Sequence, residues 1–228
     1  MEVESTKDIR KCLSLQKKAM RTKLPLLSSL ICLLWLGSCG PNQPQKTEEK
    51  NDVCTYRYDD STSVLEWTAF KFTEKTPVKG GFNEVTIKSE KTSSEHPEEL
   101  IKSLSVVIQT SSVETQNEER NGKIMRLFFG AMKNQEITGK FSKLSADGKA
   151  TLVLTMNAIE KEVIGTYQLI DGTFTFNGTM DVANWNGIAG ITALNKACKD
   201  LHTGKDGKSK LWSEVALTFS TTLKSTCK

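Results

Sequence analysis

From residue 63 onward, apolar and polar residues alternate in short runs broken by turn dipeptides. In SVLEWTAFKF (63–72), Leu65, Trp67 and Ala69 fall on one face, with Phe70 and Phe72 on the other. FNEVTI (82–87) follows Pro77 and Gly80-Gly81, and LSVVIQT (104–110) comes next. EITGKFSKL (136–144) and TLVLTMN (151–157) flank Asp147-Gly148. EVIGTYQLI (162–170) and TFTFNGTMDV (173–182) flank Asp171-Gly172 in the same way. Asp-Gly between alternating runs signals a tight hairpin. KLWSEVALTFSTTL (210–223) closes the series. Eight strands at this spacing suit a closed antiparallel barrel or a sandwich.

The alternation also assigns faces. Leu152, Leu154 and Met156 share one side of their strand, with Thr151, Val153 and Thr155 opposite. Phe174, Phe176 and Met180 do the same, as do Val215, Leu217 and Phe219. Two segments break the period of two. HPEELIKS (96–103) has room for one or two helical turns. EERNGKIMRLFFGAM (118–132) carries Ile124, Leu127, Phe128 and Met132 at helical spacing, a stripe that would lie on the barrel.

The front of the chain reads differently. Residues 24–38, LPLLSSLICLLWLGS, are uncharged, and Arg21 and Lys23 precede them. This is a secretory signal layout, and the run is shorter than the ~20 residues of a membrane-spanning helix. Leu36-Gly37-Ser38-Cys39 resembles a lipobox, so residues 1–38 are expected to be removed and Cys39 to carry lipid. Acidic residues before Met20 point to Met20 as the true start. Residues 39–52 read as a polar, flexible tether and 53–228 as one domain. The expected place is the cell envelope, with the domain periplasmic or surface-exposed. Gly40, where an aspartate tends to mean inner-membrane retention, favours the outer membrane.

Charge changes meaning once the leader is set aside. The whole chain has 31 Lys+Arg against 27 Asp+Glu, a net +4. The leader holds seven basic and three acidic residues, leaving 24 of each sign in the exported part. The basic excess belongs to export, so no nucleic-acid footprint remains.

Three cysteines fall in the exported domain, where a disulfide persists. Cys54 can meet Cys227 if the terminal strands pair, or Cys198 in a loop before the last strand. No cysteine or histidine spacing supports a metal site. His96 and His202 stand in separate polar segments, and GxSxG, HExxH and phosphate-loop motifs are absent, so no catalytic residue is assigned. An apolar interior is the remaining candidate site. An eight-stranded barrel is just wide enough to fill itself with side chains or to hold one small ligand.

The stretch SSVETQNEERNGKIMRLFFGAMKNQEITGKF (111–141) resembles the signature of the YceI-like family of lipocalin-like, polyisoprenoid-binding proteins. That signature falls on Ser112-Val113-Glu114-Thr115, on Asn117 with Arg120, on Phe128-Phe129, and on Ile137-Thr138 with Phe141. The first strand, VKGGF (78–82) and the later hairpins follow in family order. The resemblance implies an eight-stranded antiparallel lipocalin-like barrel with one short helix, whose interior holds an isoprenoid such as a quinone or polyprenol. It makes Trp67, Ile108, Phe128, Phe141, Leu154, Met156, Phe174 and Phe176 candidate lining residues, and Trp185, in a stretch that departs from the family, is expected to plug or line the barrel mouth. Two departures stand out. VANWNGIAG (182–190) replaces an Arg-x-Asp-Phe-Gly stretch, and Lys71 stands where relatives carry histidine. The expected partners are a lipid-like molecule and, through Cys39, a membrane. The alternative is a ligand-free barrel that binds proteins, and an enzyme using Lys71 comes third.

Overall fold

The computed structural model describes residues 53–132 and 135–228. The expected signal segment, the lipidated Cys39 and the tether lie outside the described residues. The chain opens in β1 (Cys54–Arg57) and ends in β12 (Lys224–Cys227). These two pair as an antiparallel ribbon with Cys54 opposite Cys227, and the two cysteines form the disulfide. Of the two pairings open to Cys54, the register therefore selects Cys227. Among the described residues Cys198 is a free, buried thiol.

Between the ribbon strands, eight antiparallel ladders run in a ring. β2 (Val64–Lys71) pairs with β3 (Thr76–Phe82). The chain then bends at Asn83-Glu84 and continues as β4 (Val85–Ser89). Its partner is bent too: β5 (Leu104–Gln109) runs through a short turn into β6 (Val113–Glu114). Gly81-Phe82 face Glu114 and Val113, while Val85–Ser89 face Leu104–Ile108. From β5 the pairing passes to β7 (Glu136–Leu144), β8 (Lys149–Met156), β9 (Ile159–Ile170), β10 (Thr173–Asp181) and β11 (Leu211–Thr222). β11 pairs back onto β2 and completes the circle. Ten segments thus make an eight-stranded barrel, because two of its strands are kinked.

The hairpins show the turn chemistry. Asp171 and Gly172 both take positive φ, 50° and 76°, as a tight type I′ connection requires. Asn157 and Ala158 do the same at 54° and 55°, joining β8 to β9 without a glycine to announce it.

The helices exceed the single short one expected. α1 (Pro97–Lys102) matches the 96–103 segment. The 118–132 segment is helical throughout but not uniformly so: α2 (Glu118–Lys123), a π-helical stretch Ile124–Phe129, and α3 (Gly130–Met132). The wider turn is marked by the Gly130 N–H donating to the Met125 carbonyl, five residues back. α4 (Ile188–Ala197) was not anticipated, because Gly187, Gly190 and Thr192 dilute its Ile188, Ile191, Leu194 spacing. It lies against the π stretch so closely that a Cβ on Gly190 would stand 2.7 Å from the Phe128 ring.

The strand directions sort the connections into two poles. The β2–β3 and β8–β9 turns, α2 and α4 lie at one pole. The β7–β8 and β9–β10 turns, α1 and the disulfide ribbon lie at the other.

Candidate ligand-binding cavity

The barrel is packed at one pole and hollow at the other. At the ribbon pole, Phe141 meets Phe174 and Phe176 edge-on at centroid distances of 5.2 and 5.1 Å. Phe219 sits 6.0 Å from Phe141, and Tyr167 stacks on Phe174 at 5.6 Å. Such offset aromatic contacts fill a cross-section this narrow. Above them is a cavity of about 170 Å³. One water needs roughly 10–15 Å³ on that measure, so the space is unfilled interior rather than close-packed core. Leu65, Trp67 and Ala69 of β2, Leu152, Leu154 and Met156 of β8, and Phe176 and Met180 of β10 bound it. Leu211, Val215, Leu217 and Phe219 of β11 continue the wall, and Ile124, Phe128, Phe129, Ile191 and Leu194 of the helices roof it.

Toward the helical pole lies a second pocket of about 350 Å³, whose lining mixes apolar side chains with charged ones. The two share Trp67, Ala69, Ile124, Leu194 and Leu211, so they adjoin. Lys71, Asn117, Glu119, Arg120, Lys123, Cys198 and His202 line this mouth. Lys123 bonds Glu119 at 2.6 Å, which raises the Lys123 ammonium and lowers the Glu119 carboxyl from their ordinary values. His202 shares a bond of 2.9 Å between Nδ1 and the Asn195 Oδ1. A carbonyl oxygen accepts, which places the proton of the neutral ring on Nδ1. Burial lowers the imidazole pKa, and the nearby Lys71 and Lys123 lower it further. Among the described residues, no group of three His, Cys, Asp or Glu is placed to hold a metal, and no helix is long and apolar enough to cross a membrane.

The model of the YceI-like domain matches residues 56–223. The chain belongs to the YceI-like domain family. A search of curated proteins returns no match. Among solved structures, Burkholderia cenocepacia BcnA is similar at 17% identity and TM-score 0.48, over 74% of this chain and 99% of that one. A polyisoprenoid binding domain from Saccharophagus degradans, implicated in plant cell wall breakdown, has 15% identity, TM-score 0.47 and coverage of 77% and 99%. The Campylobacter jejuni YceI protein has 20% identity, TM-score 0.45 and coverage of 70% and 90%.

Within this YceI-like barrel the signature residues form a latch. Asn117 caps α2 by accepting from the Arg120 N–H at 2.8 Å. The Arg120 guanidinium donates to the Thr115 hydroxyl and carbonyl at 2.9 and 2.7 Å. Thr115 in turn donates from its main-chain N–H to Asn121 Oδ1 at 2.9 Å. These bonds fix the angle at which the helix leaves β6 and crosses the opening.

Of the candidate lining residues, Trp67, Ile108, Phe128, Leu154, Met156 and Phe176 border the cavity. Three do not. Phe141 and Phe174 lie in the packed pole, where neighbouring rings leave no space. Trp185 is 1% exposed and borders neither pocket. Its Nε1–H donates to the Leu154 carbonyl at 3.1 Å, and its own carbonyl accepts from Asn157 Nδ2 at 3.0 Å, so it ties the segment after β10 to β8 and the β8–β9 turn. The expectations missed Phe129, Ile191 and Leu194. An α-spaced stripe through Ile124 picks Phe128, whereas the π turn brings Phe129 inward as well.

Proposed function

We propose that this protein binds a long-chain amphiphile, an isoprenoid such as a quinone or polyprenol in the first instance, for carriage, storage or sequestration. The observation that carries the reading is the unfilled, almost wholly apolar cavity under the helical roof. Each methylene moved there from water contributes about 0.8 kcal/mol, so a long chain binds well with few polar contacts. Membership of the YceI-like family supports the same ligand class. A barrel packed throughout would have favoured the ligand-free interaction module. The Cys39 lipobox supports attachment to a membrane of the cell envelope, with the outer membrane favoured by Gly40.

Purification from the native envelope, followed by organic extraction and mass spectrometry, tests the reading. One dominant long-chain species in stoichiometric amount is the expected result. No bound lipid, together with no tryptophan quenching on titration with quinones or polyprenols, would overturn it.

A further inference from the structure

The change from apolar to charged lining takes place within one strand. β2 sends Leu65, Trp67 and Ala69 into the cavity, and its next inward position is Lys71 at the mouth. Among the described residues Lys71 has no carboxylate partner. Its Nζ donates to the Leu201 carbonyl at 3.4 Å and lies 4.6 Å from the Phe72 ring centroid. Across the same pocket, the Arg120 guanidinium bonds only Thr115 oxygens and likewise has no carboxylate among the described residues. Lys123 does have one, but Glu119, the only carboxylate among the described residues lining the pocket, has a side chain 79% exposed to solvent. Three cations and one solvated anion therefore surround the space into which an amphiphile's head would project. Charge held beside low-dielectric surface is stabilised by a partner of opposite sign, and hydrogen bonds between ionised groups are about twice as strong as neutral ones.

We infer that the mouth pocket, lined by Lys71, Arg120 and Lys123, takes an anionic head group, phosphate or carboxylate, of the amphiphile whose chain occupies the cavity. The inference rests on the lipid-binding reading and narrows it from neutral quinones and polyprenols to their anionic counterparts. His202 supports it, because the two lysines that lower its pKa must share its surroundings. An anion bound there would offset them and let the imidazole take its proton at higher pH.

Titrating the full chain with geranylgeranyl monophosphate, geranylgeraniol and inorganic phosphate tests this. The prenyl phosphate is expected to bind about tenfold tighter than the alcohol, a difference of ~1.4 kcal/mol. Inorganic phosphate, lacking a chain, is expected to bind far more weakly than either. In Lys71→Gln and Lys123→Gln the ratio of phosphate to alcohol affinity should fall several-fold, the alcohol serving as reference for correct folding. The His202 titration followed by NMR should move upward with the prenyl phosphate and not with the alcohol. Equal affinity for phosphate and alcohol would overturn the inference while leaving lipid binding intact. A preference that survives both substitutions would do the same, as would inorganic phosphate matching the prenyl phosphate. If neither prenyl compound binds, the lipid-binding reading itself fails and the inference with it.

Discussion

Gly80 faces Trp67 across the β2–β3 ladder, and a Cβ on Gly80 would stand 2.3 Å from the indole Cζ2. Only hydrogen fits there, so the indole lies flat on the strand with its Nε1–H donating to the Gly81 carbonyl at 3.3 Å. The ring thereby walls the cavity instead of crossing it. Gly80→Ala should tilt the ring inward, destabilise the barrel by about 1–3 kcal/mol, and weaken binding of a long chain. Thermal unfolding and lipid titration check this. Unchanged tryptophan emission with unchanged affinity would show that the ring never moved.

Trp185 is expected to act on stability alone. Trp185→Phe removes the bond to the Leu154 carbonyl and should cost about 1 kcal/mol. Its capacity for lipid should stay at the wild-type level, since the ring does not border the cavity. A large drop in capacity at equal stability would place Trp185 in the binding site after all.

The Cys54–Cys227 bridge spans 173 residues of sequence and ties the ribbon outside the ring. Replacing both cysteines with serine should lower stability by about 2–4 kcal/mol. The ring's own ladders do not pass through the bridge, so ligand binding should persist. Denaturant titration of the oxidised and double-serine forms, with lipid titration in parallel, measures both quantities.

Acid should loosen the same pole. The Asp59 carboxyl is pulled down to about 2 by its bond to Lys224 and by those from Ser61. Its folded value lies below the ordinary 3.8, so its contribution is full above that value and is lost as pH falls through about 2. Asp59→Asn should therefore flatten the acid limb of the stability profile in that window and leave its slope near neutrality unchanged. Unfolding midpoints at about pH 5 and about pH 2 for both proteins decide the matter.

Cys39→Ser should release the protein from membranes into the soluble fraction. Fractionation of cells expressing each form reads the outcome, and a variant that still sediments with membranes would refute the lipobox reading.

The barrel was legible because a strand with one buried face alternates with period two, and a slip of one residue would turn Leu154 or Phe176 outward. Alternation tells inside from outside but says nothing of depth along the axis. Phe141, Phe174 and Phe176 look equivalent in the sequence, yet only Phe176 reaches the cavity. Helix type was equally hidden, because the π turn at Ile124–Phe129 depends on how the segment meets α4 and β3. The bridge partner is open in the sequence for a similar reason. Cys227 is chosen by the register of two four-residue strands, which no local pattern in the chain announces.

Val53 and Lys228 exchange two main-chain hydrogen bonds of 3.2 Å, so both ends of the described domain emerge side by side at the packed pole. The opening lies one strand length away, on the order of 30 Å for a nine-residue strand. A chain fused after Lys228 therefore starts at the pole opposite the mouth. A reporter fused to the C-terminus should therefore leave the mouth open. A circular permutant joining the two ends by a short linker would keep the mouth intact as well.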